Sequence, residues 1–252
     1  MNNSSTWRRY QELRPDQLAE MIQTAPVAYW PLGLLEHHGW HLPIGLDGLK
    51  AEQICIRIAE RTGGVLLPTM WWGALGGHGE FMWTHYQPED AAEAILAHTV
   101  EQLVRYGFRV LLLFAGHYPW QQLLDRRLPA LQDAHPEVLF LWGTEMNIGG
   151  DAVPLPGDHA AREEASYGLA LFPQWVDLGA LRPGRDASAW PNGQPASAET
   201  QTRFPDVCFD PSEALFAQMG EDARLATAAR GEAAIARLVE HLAKRINEHL
   251  NA

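Results

Sequence analysis

Glu36 and His38 lie two residues apart, and Asp47 follows nine residues after His38. Carboxylate and imidazole are the donors that hold Zn²⁺, Mn²⁺ or Fe²⁺. In an extended segment, side chains at i and i+2 point the same way, so Glu36 and His38 can reach one ion. Asp47 opens a predicted helix. A carboxylate there reads either as an N-cap or as a ligand shared by two ions. His41 lies between them and reads as a group that orients a ligand or the backbone. Two further groups carry the same chemistry. His117 follows the apolar run Val110 to Phe114, and His159 and Glu164 stand five residues apart in Gly157 to Glu164. Five residues is a poor match to one helix face. His159 is therefore expected just before or at a helix start, with Glu164 in the first turns. Such a site lowers the pKa of bound water and polarises a carbonyl, while a nearby histidine moves a proton to a leaving amine.

The elements that must position these groups alternate. Val27 to Trp30 reads as a first strand and Val65 to Leu67 as a second, stopped by Pro68. Arg109 to Phe114 and Val138 to Trp142 are continuous apolar runs, the signature of strands buried on both faces. Helices are predicted from Asp47 to Arg61, from Pro88 to Tyr106 with Gly107 as its stop, from Trp120 to Ala134, and from His159 to Leu171. Glu221 to His249 reads as one long helix or two, with Leu225, Ile235, Leu238, Leu242 and Ile246 as its apolar positions. Arg182 to Pro211, rich in Pro, Gly, Ser and Asp, reads as a long loop over a pocket or an oligomer contact. This alternation predicts a three-layer α/β domain with a mostly parallel sheet, one domain over residues 1–252. Ligand sites in such sheets form outside the carboxyl ends of the strands, which is where His117 falls.

Composition narrows the function classes. The 252 residues are 46% hydrophobic and 20% charged, with a net charge of -12. That charge disfavours nucleic acid and anionic membranes as partners. No apolar run is long enough to span a bilayer, and the polar N-terminus lacks a signal core, so a cytoplasmic enzyme is expected. The two cysteines, Cys55 and Cys208, cannot build a disulfide framework or a cysteine zinc site alone. Among the ten tryptophans, Trp71, Trp72, Trp83 and Trp120 lie nearest the motifs and could pack or stack on a planar substrate. His78 and Glu80 read as pocket or loop residues.

Pro31 through Asp47 resembles the signature of the creatininase superfamily, P-x-G-x-x-E-x-H-G-x-H-L-P followed by an aspartate, and matches at every one of those positions. His78 to Thr84 is similar to the family's H-x-x-F-P-G-T with the Pro-Gly lost. Gly116-His117 is similar to its G-H pair, and His159 to Ser166 to its H-A-G-x-x-E-T-S. Ala226-Thr227 and Gly231 are similar to its last helix, so the likeness runs from about residue 25 to 250. It implies a creatininase-like α/β/α fold and a metal-dependent hydrolase cleaving a C–N bond of a cyclic or small amide through a metal-bound hydroxide. It implies two divalent ions (Zn, Mn or Fe), a small-molecule substrate and a homo-oligomer, commonly a hexamer. Carried over, Glu36 and His117 bind one ion, His38 the other, and Asp47 bridges. Creatininase takes a further carboxylate two residues after the G-H histidine, where this chain has Pro119, which cannot ligate. Glu164 is the replacement the family pattern offers, and His159 the acid/base residue. Tyr118, Pro119 and Trp120 in place of G-G-N, with Ala115, Ala161 and Ala165, alter the pocket wall. They leave open a ring C–C bond of a keto-inositol, a formamide or a short peptide end as the target, and a degenerate binding member as the rival from another class.

Overall fold

The computed structural model describes residues 7–74, 81–150, 155–185, 190 and 194–252. In chain order its elements begin with β1 (Trp7–Arg9), α1 (Pro15–Thr24), β2 (Val27–Leu32), α2 (Leu46–Thr62) and β3 (Gly64–Leu66). They continue with α3 (Glu89–Tyr106), β4 (Val110–Ala115), α4 (Trp120–Ala134) and β5 (Leu139–Gly143). The chain closes with α5 (Arg162–Leu171), α6 (Ala198–Arg203) and α7 (Ala228–Leu250).

The sheet order is β1-β3-β2-β4-β5, and each neighbouring pair is parallel. β2 and β4 are in register from Val27 opposite Val110 to Leu32 opposite Ala115. Side chains alternate across this pair. Val27, Tyr29, Val110, Leu112 and Phe114 pack with α2, α5 and α7. Ala28, Trp30, Leu32, Leu111, Leu113 and Ala115 pack with α3 and α4, and α1 lies against that same core. Three layers follow, because a strand buried on both faces needs a helix on each. Full burial of a Leu or Phe contributes about 1.5–3 kcal/mol, so these two strands anchor the register. From β2 the chain crosses to β3 on one side, then returns across β2 to β4 on the other. β2 and β4 therefore flank the switch point, where open sheets leave a crevice.

The differences from expectation are local. β1 and α1 precede the strand read as first; β1 is three residues long and α1 buries no residue fully, so neither has a strong apolar pattern. α5 begins at Arg162, and His159 sits before it in a bridge with Met219. The final segment is a short 3-10 turn and then α7, capped by Thr227, whose side chain accepts from the Arg230 amide. Leu225 lies in that turn and is exposed, so it is no part of the apolar face that Ile235, Leu238, Leu242 and Ile246 do form. The Arg182 to Pro211 stretch contains α6, capped by Ser197. Gly107 does end α3, in a left-handed conformation. His78 and Glu80 lie outside the described residues. Among those described, no helix is long and apolar enough to cross a membrane.

Candidate metal centre

Two strand exits and one helix start meet at this crevice. Glu36 follows β2, His117 follows β4, and Asp47 is the second residue of α2. Their close approach depends on glycine. A Cβ on Gly116 would lie 2.0 Å from the Asp47 carbonyl oxygen, and one on Gly33 would lie 2.4 Å from the Gly48 Cα. Side chains there would push the β2 and β4 exits off the start of α2.

Three groups of ligand-type side chains converge here: Glu36, Asp47 and His117; His38, Asp47 and Glu164; and Glu36, His38 and His159. Asp47 belongs to the first two. His117 Nδ1 lies 3.0 Å from Glu36 Oε2 and 3.3 Å from Asp47 Oδ2. His38 Nε2 lies 3.2 Å from Asp47 Oδ1 and 3.5 Å from Glu164 Oε2. Two ligands at about 2.1 Å from one ion are themselves roughly 3–3.4 Å apart, so the spacing fits shared cations. These side chains are all buried, and the neighbours of His38 Nε2 and Asp47 Oδ2 are other members of the same clusters. Buried polar atoms of this kind call for an ion or an exchangeable proton. His38 Nδ1 lies 3.0 Å from the Glu36 carbonyl oxygen. Donation there fixes the ring and leaves the lone pair on Nε2, the atom that faces Asp47 and Glu164.

Electrostatics agree with the donor set. Burial lowers the pKa of both histidines, but the carboxylates outweigh it. Asp47 and Glu164 hold His38 at about 9, and Glu36 and Asp47 hold His117 at about 10. Burial raises Asp47, yet His38 and His117 bring it well below the usual carboxylate range.

Glu164 reaches the site from the first turn of α5. That turn is set by Asp158, whose carboxylate accepts from the Glu163 amide at 2.6 Å and the Glu164 amide at 3.1 Å. Ala160 takes a left-handed φ of 51°, a conformation that strains a residue with a Cβ. Its amide donates to Glu164 Oε2 at 2.8 Å. The His159 ring lies against that of His38, tilted by 31° with centroids 4.5 Å apart, and its Nε2 lies 3.0 Å from the His37 carbonyl oxygen. Glu36, Asp47, His117, His159 and Glu164 line a cavity of about 180 Å³, closed by Tyr118, Pro119, Asp158, Phe204 and Met219.

Lys50, Glu145 and Asp158 also belong to this site and are not among the residues that motif spacing singles out. Lys50 is fully buried and donates to Glu145 Oε1 at 2.8 Å and Glu164 Oε1 at 3.3 Å. Burial works against its charge, but Glu145, Glu164 and Asp47 hold it as an ammonium. A signal existed: Lys50, Ile54 and Ile58 share one stripe of α2, and a lysine on a core stripe is out of place. Glu145 follows β5 as His117 follows β4, so the strand-end rule would have found it. Of the tryptophans, Trp120 is core, its indole donating to the Gly33 carbonyl at 2.9 Å. Trp71 packs against Gly48, and Trp72 and Trp83 are about half exposed. None of Trp71, Trp72, Trp83 and Trp120 lines the cavity.

The chain shares this architecture with solved creatininases. It superposes on a creatinine amidohydrolase crystal structure with a TM-score of 0.72 at 24% identity, covering 95% of this chain and 96% of the other. A manganese form of creatininase gives 0.72 at 24% identity, with 96% and 98% covered. A variant of Zn–Zn type gives 0.67 at 24% identity, with 95% and 97% covered. In sequence, a creatinine amidohydrolase of Pseudomonas putida is 27% identical over 199 residues, 69% of this chain and 72% of that protein. A 3-dehydro-scyllo-inosose hydrolase of Thermotoga maritima is 23% identical over 184 residues, 66% of this chain and 57% of that protein. The family model for creatinine amidohydrolase matches residues 11–246, so this chain belongs to the creatininase family.

Proposed function

We propose that this protein is a metal-dependent hydrolase that cleaves the C–N bond of a small or cyclic amide. The observation that carries this is the pair of buried ligand clusters sharing Asp47, open to one small cavity. Glu36, His117 and Asp47 would hold one divalent ion, and His38, Glu164 and Asp47 the second. Such a pair supplies an activated water and polarises the scissile carbonyl.

The remaining work falls to the chain. His159 borders the cavity with Nε2 on the His37 carbonyl. With Nε2–H donated there, Nδ1 takes a proton from the attacking water and returns it to the leaving nitrogen. Asp158 fixes the turn that carries His159 and Glu164. Phe204, Met219 and Pro119 form the apolar side of the cavity. A cavity of about 180 Å³ suits a substrate of metabolite size rather than a polymer.

Hydrolysis of a different bond in a small ring is the second reading. It is favoured by the likeness to the inosose hydrolase and by Pro119 in the wall, where creatininase carries a carboxylate. The test is a panel of creatinine, a formamidopyrimidine and a keto-inositol with protein loaded with Zn²⁺ or Mn²⁺. Turnover of the amide members alone supports the first reading. Turnover of the keto-inositol alone replaces it with the second. Metal bound without turnover of any member argues for a binding protein.

A further inference from the structure

Lys50 is a buried group at this centre that the reaction above does not use. Its cage is complete. The ammonium touches Glu145 and Glu164, lies 4.7 Å from the centre of the Tyr118 ring and 5.6 Å from that of Tyr167. Glu145 is held in turn by the Tyr118 hydroxyl, which donates to its Oε1 at 2.9 Å. A lysine at zero exposure is rare, and it persists only where fixed partners compensate its charge.

The two oxygens of Glu164 are thereby told apart. Oε1 accepts from Lys50, while Oε2 accepts from the Ala160 amide and faces His38 Nε2. A carboxylate free to rotate could offer one oxygen or both to an ion. Here each oxygen has its own donor, Lys50 on Oε1 and the Ala160 amide on Oε2, so the rotation of the carboxylate is fixed with Oε2 toward His38.

We propose that Lys50 is a positioning residue for the second ion: anchored by Glu145, its ammonium holds Glu164 so that Oε2 alone is presented beside His38 and Asp47. This rests on the two-ion reading above. Its effect on the ion is exerted through Glu164, because the ammonium itself has no lone pair to ligate with.

The test uses the full chain stripped of metal and titrated with Mn²⁺ alone, free ion being read by electron paramagnetic resonance. Lys50→Met is paired with Glu145→Gln. The pair removes one positive and one negative charge together, so the net field is kept and positioning is what changes. In a His117→Ala background, which retains the His38, Asp47 and Glu164 ligands, the pair is expected to weaken Mn²⁺ about 10–100-fold. In a Glu164→Ala background the same pair is expected to change affinity by less than about twofold, because its target is gone. Unchanged or tighter binding in the first background, or an equal loss in both, overturns the proposal. Fewer than two Mn²⁺ per wild-type chain overturns the two-ion reading itself, and Lys50 then stands in for the missing cation. Two Mn²⁺ in the wild type with no loss in the variant overturns only the role of Lys50. Metal-free melting curves check folding. Should the methionine pair not melt cooperatively, Lys50→Gln with Glu145→Gln is read in the same way.

Discussion

The two halves of the candidate centre are built by different means. Glu36, Asp47 and His117 come from two neighbouring strand exits and the helix between them, all fixed by the sheet. Glu164 comes from α5, later in the chain than all three, and is held by Asp158, Ala160 and Lys50 rather than by the sheet. The first half is set by backbone geometry. The second is set by side chains that must themselves be held. A ligand on a strand end needs only the strand in place. A ligand on a helix turn needs each clamp around it.

That contrast gives an order of expected effects. Asp47 serves both halves, so Asp47→Ala should abolish binding of both ions and lower kcat/KM about 10³-fold or more, since several kcal/mol of stabilisation are lost. Metal analysis that still finds two ions per chain would break the shared-ligand reading. Glu164→Gln should cost the second half alone, leaving one ion on Glu36, Asp47 and His117. Loss of both ions would mean that the halves are not separable.

Metal removal comes next. The stripped protein carries buried carboxylates whose counter-ions are gone. Metal at a hundredfold excess over its Kd should add about 2.7 kcal/mol, a rise in Tm of roughly 5–11 °C for a chain of this length. A Tm unchanged by chelator and by added Zn²⁺ or Mn²⁺ would count against a resident metal. Gly116→Ala probes the first half through its backbone. The added methyl meets the Asp47 carbonyl oxygen, so stability should fall by about 1–3 kcal/mol in urea unfolding, with weaker metal binding. Loss of stability with full metal affinity would show that the strand exit moves without Asp47. The smallest effect is expected far from both halves. Arg57→Ala removes an exposed pair with Glu232 and should change stability by less than about 1 kcal/mol, with metal content unaltered.

How much could be read beforehand follows the same division. Val110 to Phe114 is apolar throughout and could be placed as a central strand at once. Glu36, His38 and Asp47 lie within one short stretch, where spacing alone is informative. Trp7–Arg9 and Pro15–Thr24 were not legible, because a three-residue edge strand and a helix without a buried stripe carry little pattern. Leu225 was misassigned because an apolar residue near a helix reads as part of its face until the cap at Thr227 is seen.

The candidate donors, their residue types and the strands that carry half of them are legible in the order of residues, because those depend on neighbours a few positions away. The placement of Lys50 between Glu145 and Glu164 comes from tertiary packing. Those contacts span 95 and 114 positions of chain. A buried ammonium in α2 has meaning only once β5 and α5 bring their carboxylates to it, since its charge is tolerable there and nowhere else in a core.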